Sequence, residues 1–198
     1  MTGNAVRSDV CFVVEGAYPY VSGGVSSWLQ DLMVNLPEFR FSIVAIKPDE
    51  TELAWKITPP SNVVSVVEVP LSSNPTAPRR YPPYLITRIG NLLLSFLTGG
   101  KSSTLVTLLR ELSFLDPQPN VGDILSNPQM FSLFQAHYEK SFRKTSFHHY
   151  FWAMRVLLGG LLTMLLTPFP QARVYHTVST GFAGLLAARA SFQSGRPA

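Results

Sequence analysis

Two adjacent glycines, Gly23 and Gly24, are the residues in this chain best placed to bind a phosphate. They stand between an apolar run, Val10 to Val14, and apolar residues at helical spacing that start at Val25. A helix beginning there exposes backbone N–H groups and the positive end of its dipole beside a loop without side-chain bulk. This favours phosphate binding, although a pair of glycines can also serve only to form a tight turn.

A glutamate and a histidine occupy similar positions at the ends of two predicted strands. Glu15 follows the first apolar run, and His176 lies near the end of Arg173 to Val178, just before a predicted helix. Ligands of open α/β sheets bind at the carboxyl ends of the strands. If the two strands are neighbours, Glu15, His176 and the glycine loop form one polar site. The alternatives are a structural histidine and a carboxylate that orders its loop.

Other well-known site motifs do not fit. The first turn lacks the spacing Gly-x-Gly-x-x-Gly of dinucleotide-binding folds, and Lys47 rather than an acidic residue follows the second strand. The stretch Gly99 to Ser102 ends like a triphosphate-binding loop, but Ser95 stands where the first glycine is required. The adjacent His148 and His149 point in different directions on a helix, and no metal motif is found.

Four runs rich in Val and Ile predict the strands that position these residues. Because the runs are nearly continuous and helices separate them, we expect a parallel sheet covered on both faces, and therefore an α/β fold. The predicted strands are Val10–Val14, Phe41–Ile46, Val63–Val69 and Arg173–Val178.

A helical block of residues about 84–167 interrupts the alternation of strands and helices, and we predict an insertion on the rim of the sheet. A surface loop from Pro70 to Pro83 precedes it. Ser179 or Thr180 is the predicted cap of the last helix. The predicted helices of the block are Tyr84–Thr98, Ser102–Phe114, one that starts at Pro128 with Asn127 as cap, and Phe151–Leu166 after a break near Ser146.

Composition limits the class of protein. The chain has 198 residues, of which 46% are hydrophobic and 14% charged, so it can bury one sizeable core. Its single cysteine, Cys11, is a predicted buried residue, and there is no disulfide or zinc pattern. The first nine residues are polar and do not resemble a signal peptide, and the apolar runs are too short to span a bilayer. We therefore expect a cytoplasmic location.

A basic cluster lies in the helical block. Lys140, Arg143 and Lys144 stand close to His137 and to the pair His148-His149, within a chain of net charge +4. Such a cluster can bind phosphates, nucleic acid or anionic lipid. A solvated helix face is the simpler interpretation, and we favour it.

Three stretches closely resemble the N-terminal part of the PelF-type glycosyltransferases, the cytoplasmic enzymes of Pel exopolysaccharide synthesis. They are EGAYPYVSGGVSSWLQDLM from Glu15, LPEFRFSIVAI from Leu36 and VYHTVSTGFAGLLAARA from Val174. Those enzymes belong to the retaining glycosyltransferase family 4. The resemblance implies a GT-B fold, in which two Rossmann-like domains enclose the active site, and this chain looks like the first, acceptor-side domain.

The resemblance also implies roles for individual residues. Gly23, Gly24 and Val25 would approach the donor diphosphate through backbone N–H groups. Glu15, Tyr18 and Tyr20 would line the cleft on the acceptor side. His176 would hydrogen-bond the transferring sugar or its phosphate, as the catalytic residue of this half, and Ser179, Thr180 and Gly181 would complete the second motif.

The donor-binding half of such enzymes carries a basic Arg/Lys pair and a Glu-x7-Glu motif, and no two glutamates here stand eight residues apart. We therefore expect this chain to lack the C-terminal donor-binding domain and to be inactive alone.

As part of a complete enzyme, the chain would help to transfer a hexose, glucose by resemblance, from a UDP-linked donor to a growing exopolysaccharide. We expect no metal, no cofactor and no nucleic-acid partner, and a location at the periphery of an inner-membrane synthesis complex. The alternative is a non-catalytic Rossmann-like module that docks on such a membrane-bound complex through its helical insertion and basic cluster.

Overall fold

Four parallel strands form one sheet in the computed structural model of the protein. They are β1 (Ser8–Glu15), β2 (Phe41–Lys47), β3 (Val63–Pro70) and β4 (Ala172–Thr177), and they lie in the order β3-β2-β1-β4. The observed strands match the four predicted ones to within two residues at each end. The predicted α/β class with a parallel, Rossmann-like sheet is confirmed.

The structure describes residues 8–72 and 79–198, and two compact units divide the chain. The first unit comprises Met1–Ser73 and Thr167–Ala198, and the second comprises Asn74–Leu166. Residues 1–7, which belong to the polar start of the chain, and residues 73–78 of the predicted loop lie outside the described residues.

Helices cover both faces of the sheet in the first unit. Helix α1 (Gly24–Asn35) buries Leu29 and Met33 against Phe12 and other residues of β1 and β2 that point to the same face. The alternate residues of β1, Cys11 and Val13, are buried on the opposite face. There β1 and β4 contact the last helix of the chain, Phe182–Ser194.

The described part of the second unit, residues 79–166, contains five helices. They are α2 (Pro83–Gly99), α3 (Ser102–Ser113), α4 (Val121–Leu125), α5 (Pro128–Ser141) and α6 (Phe147–Leu166), so the helix Phe182–Ser194 is α7. The Asn127 side chain accepts a hydrogen bond from the Gln129 N–H, as the predicted cap of α5 requires. Helix α4 was not expected from the sequence.

Aromatic rings fill the space between α5 and α6. Phe134 packs on Phe151, and Tyr138 packs on Phe147, both with edge-to-face geometry. His137 Nδ1 lies 2.7 Å from the hydroxyl of Tyr150. Burial, and to a smaller extent Lys140, lower the pKa of His137, while burial raises the pKa of Tyr150 to about 12. By length and composition alone α6 could cross a membrane, but half of its apolar stretch is buried inside the fold.

Candidate functional site

The sheet order creates a topological switch point between β1 and β4. From β1 the chain passes to β2 on one side, whereas β4 pairs with β1 on the other. Each of these two strands leads into a helix, α1 and α7 respectively, and the two helices lie on opposite faces of the sheet. The loops after the two strands therefore lead to opposite faces, and the crevice expected between such loops is the usual position of a ligand in an open parallel sheet.

The glycine loop forms one side of this crevice. Gly23 is extended and precedes the first helical residue, Gly24, and its carbonyl accepts a hydrogen bond from the N–H of Ser27 at 2.8 Å. No side chain in the described part of the chain caps this end of α1, and its first turn holds no acidic residue. Gly23, Gly24 and Val25 are exposed. Their N–H groups are thus available to an anionic ligand.

Glu15 and Gly181 meet on the α7 side of the crevice. Gly181 precedes α7 with φ +77°, and a Cβ atom at this position would lie 3.7 Å from Oε2 of Glu15. Glu15 itself ends β1 and is partly exposed. The carboxylate therefore lies at the N-terminus of α7, where the helix dipole favours a negative charge.

The predicted cap of α7 is wrong. Gly181, not Ser179 or Thr180, occupies the cap position, and it makes no side-chain hydrogen bond there. Ser179 is instead part of a short turn, because the Thr177 hydroxyl donates to the carbonyl of Ser179 and accepts from its N–H. Both Ser179 and Thr180 are exposed, so their hydroxyl groups face solvent near the crevice.

His176 lies on the other face of the sheet from Glu15. It is opposite Phe12 in the register of β1 and β4, three residues before Glu15, so the alternation of the strand directs the two side chains to different faces. The imidazole is exposed and lies edge-on to the ring of Phe12, with centroids 5.6 Å apart, and 6.2 Å from the ring of Trp28. The predicted single site of Glu15 and His176 is therefore split between the two faces.

Trp28 connects His176 to the glycine loop, because it stands one turn after Gly24 on α1. An open apolar cavity of about 320 Å³ extends from this point along the sheet face. Its lining residues are Val10, Phe12, Trp28, Leu32, Leu36, Phe39, Phe41, Val174 and His176.

Tyr18 and Tyr20 do not line an open surface. Both are buried in the core beneath α1, with exposed fractions of 0% and 6%. The Tyr18 hydroxyl donates to Gln30 at 2.8 Å, and burial raises the pKa of Tyr18 to about 12. The loop that follows β2 covers this segment, since the N–H groups of Lys56 and Ile57 both donate to the carbonyl of Pro19. The two tyrosine side chains pack in the core beneath the loop and are not exposed to a ligand.

A second polar group at the same sheet edge was missed by the sequence analysis. Lys47 at the end of β2 is buried, and its ammonium donates to Glu68 at 2.9 Å and to the carbonyl of Thr51. Trp55 donates to the other oxygen of Glu68. The hydrogen bond from Lys47 lowers the pKa of Glu68, and burial, with a smaller contribution from the adjacent Glu68 carboxylate, raises the pKa of Tyr20. The sequence feature that could have indicated this ion pair is Glu68, the one acidic residue in a run of valines.

The described residues hold no group of three or more His, Cys, Asp or Glu side chains with the geometry of a metal site. This region offers three groups to a ligand. They are the uncapped helix N-terminus at Gly24, the Glu15 carboxylate at the N-terminus of α7, and the exposed His176 imidazole beside the Trp28 ring. This set suits a ligand with an anionic group and hydroxyl groups, held mainly by backbone and hydrogen bonds.

A family model matches residues 8–198, and its description is Domain of unknown function (DUF3492). The chain belongs to this family. DUF3492 is associated with proteins that resemble family-4 glycosyltransferases. No curated protein and no solved structure matches the chain.

Proposed function

We propose that this DUF3492 chain is the acceptor-side domain of a retaining GT-B glycosyltransferase of the PelF type. In the complete enzyme it takes part in transferring glucose from UDP-glucose to a growing exopolysaccharide. The observation that carries the proposal is the uncapped glycine start of α1 at the switch point between β1 and β4. The family match and the resemblance of both loop motifs support it.

The proposed chemistry is the exchange of one bond at the anomeric carbon. The bond to the UDP oxygen breaks, a bond to an acceptor hydroxyl oxygen forms, and the proton of that hydroxyl passes to the departing diphosphate, which leaves as UDP. The N–H groups of Gly24 and Val25 stabilise the negative charge that develops on the departing diphosphate. Positioning and charge stabilisation are contributions that a domain without a nucleophile can supply.

His176 is the proposed sugar-binding residue of this half. Its ring is exposed, and Trp28 and Phe12 hold it from two sides, so it can hydrogen-bond a hydroxyl or phosphate oxygen without having to become ordered on binding. Glu15, on the opposite face, then belongs to the ordering of the loop before α7 or to the acceptor side, and does not contact the same atoms as His176.

The proposal is tested by joining the chain to a donor-binding half of the resembled family and measuring UDP release. Gly24→Asp places a carboxylate at the proposed diphosphate position, where it repels the donor, and it leaves α1 stable because acidic residues favour a helix N-terminus. We expect a loss of about 100-fold or more in kcat/KM for the donor.

The matched control is Gly99→Asp, which puts the same charge on an exposed glycine at the end of α2, where an added Cβ also meets no atom. We expect this variant to keep full activity. Equal activities of the two variants, with unchanged folding, would reject the phosphate site. A joined protein that is folded and binds donor but never releases UDP would favour the non-catalytic module.

A further inference from the structure

An exposed apolar stripe follows the first half of α6 in the second unit. Trp152, Val156 and Leu157 have exposed fractions of 52%, 74% and 43%, and Ala153 between them is exposed as well. Val156 follows Trp152 by four residues and so lies on the same side of the helix, and Ala153 and Leu157 lie beside these two, over about one and a half turns. The second half of α6 is different, because Leu158 to Leu162 are buried within the unit. The stripe is therefore confined to the end of α6 that is nearest the α5–α6 turn.

Positive charge is concentrated at that same end. Lys140, Arg143 and Lys144 in and beside the turn are all exposed, and His148 and His149 continue the stripe at the start of α6. Glu139, which pairs with Arg143, is the only acidic residue in the sequence from Ile124 to Ala198. Apolar surface and cationic surface thus adjoin in one place.

The tryptophan at the boundary is held in position. Its Nε1–H donates to Nε2 of His148 at 3.1 Å, and the guanidinium of Arg155 lies 5.9 Å from its ring centroid. Arg155 is itself fixed, because it donates to the carbonyl of Leu125 at 2.7 Å. An exposed ring that is already ordered can insert into an apolar phase at a small entropic cost.

From this arrangement we propose that the Trp152 stripe and the basic turn form a docking surface for an anionic phospholipid bilayer. The stripe enters the boundary between headgroups and acyl chains, and the cations of the turn contact lipid phosphates. Aromatic residues beside Lys and Arg are typical of this interface. A protein partner fits less well, because the cations stand at one end of the stripe and do not surround it as a polar rim.

Burial of the second half of α6 favours a helix that lies on the membrane over one that crosses it. A spanning helix would have to expose Leu158, Leu161 and Leu162, which now fill the core of the second unit. Docking through the exposed half leaves that core intact. The inference concerns a surface with no residue in the crevice of the first unit, so it stands or falls independently of the proposed enzyme activity.

Flotation of the 198-residue chain with vesicles tests the proposal. We expect binding to vesicles of phosphatidylcholine mixed with phosphatidylglycerol, little binding to phosphatidylcholine alone, and loss of binding at high salt. Trp152→Ser with Val156→Ser should weaken binding about tenfold or more, and so should replacing Lys140, Arg143 and Lys144 by Gln. Vesicles with brominated lipids should quench the fluorescence of the wild type more strongly than that of Trp152→Phe.

The matched controls remove the same number of exposed apolar or basic side chains at other positions in the chain. Val34→Ser with Phe192→Ser changes two exposed apolar residues on α1 and α7, and Lys56, Lys101 and Arg196 replaced by Gln remove the same charge. Both controls should bind as the wild type does. Binding weakened equally by the controls, or binding to natural membranes but not to vesicles, would overturn the proposal in favour of non-specific attraction or a protein partner. Binding that survives high salt and both stripe variants would indicate a spanning helix and also overturn it.

Discussion

Gly181 has a backbone conformation that glycine adopts readily and other residues do not. Its φ of +77° and ψ of −135° turn the chain from β4 into α7 and bring the loop against Glu15. The contact with Glu15 is loose, since a Cβ atom at residue 181 would lie 3.7 Å from the carboxylate. The constraint at this position is therefore in the backbone and not in the space around it.

Gly181→Ala should consequently destabilise the protein by about 1–3 kcal/mol through backbone strain. Gly24→Ala is the matched variant, because Gly24 is helical and a Cβ there meets no atom within 4 Å. It should be neutral or stabilise by up to about 1 kcal/mol. Urea unfolding of both variants measures the difference. Equal stabilities would show that the loop before α7 can adopt another conformation.

The Lys47–Glu68 pair makes stability depend on pH. Lys47 lowers the pKa of Glu68 in the folded protein, so the carboxylate contributes stability above its unfolded pKa of about 4.3 and loses it as the pH falls through the lower folded pKa. The difference in unfolding free energy between the wild type and Glu68→Gln should be constant near neutral pH and should shrink below about pH 4.

Urea unfolding at several pH values measures that difference. Glu139→Gln, which removes an ion pair exposed on both sides, is the control and should change stability by less than about 1 kcal/mol. A difference for Glu68→Gln that stays constant down to about pH 3 would contradict the assigned role of Lys47.

Among the secondary-structure elements, the strands were predictable because the residues that favour them are adjacent in sequence. Each contains β-branched and aromatic residues, and in the central strands β1 and β2 burial on both faces removes any need for alternation. Helix α5 was predictable for a similar reason, since Asn127 and Pro128 are a strong start signal.

Helix α4 escaped prediction because five residues carry no recognisable helical period. A reciprocal pair of hydrogen bonds stabilises it instead, in which Asn120 accepts from the Asp123 N–H and Asp123 accepts from the Asn120 N–H. Asp123 also accepts from the N–H of Arg79, far away in sequence. The bond from Arg79 depends on tertiary structure, which a local pattern does not contain.

The candidate site was predictable only in its parts. The sequence indicated the glycine start of α1 and the strand-end position of Glu15. It could not indicate that His176 stands opposite Phe12, because register depends on how two strands pair whose facing residues are 164 positions apart in sequence. One step of register decides on which face a side chain lies, and here it separates His176 from Glu15. The burial of Tyr18 and Tyr20 likewise results from a distant loop that packs over them.

At the scale of the molecule, the separation into two units predicts that the first can fold without the second. The end of β3 and the start of β4 lie at opposite edges and opposite ends of the sheet, which is a span of about 30 Å from strand spacing and rise. A Gly/Ser linker of about 12 residues in place of Asn74–Leu166 can bridge that distance.

We expect the shortened chain to unfold cooperatively in urea and to show the circular dichroism of an α/β protein. A chain in which about four linker residues join Pro70 directly to Ala172 is the control and should prevent β4 from pairing, because so short a connection spans less than about 20 Å. An unfolded chain with the longer linker would show that the second unit is required for the first to form its sheet.

Pairing of β1 with β4 also has a consequence for synthesis on the ribosome. Strand β1 emerges early and can pair with β2 almost at once, but its other edge must wait until Ala172–Thr177 has been translated. During that interval the whole helical unit is made, and an apolar edge of the growing sheet remains open. Open edges of this kind can pair with other chains, so we expect nascent copies of this chain to need chaperones until the last strand has been made.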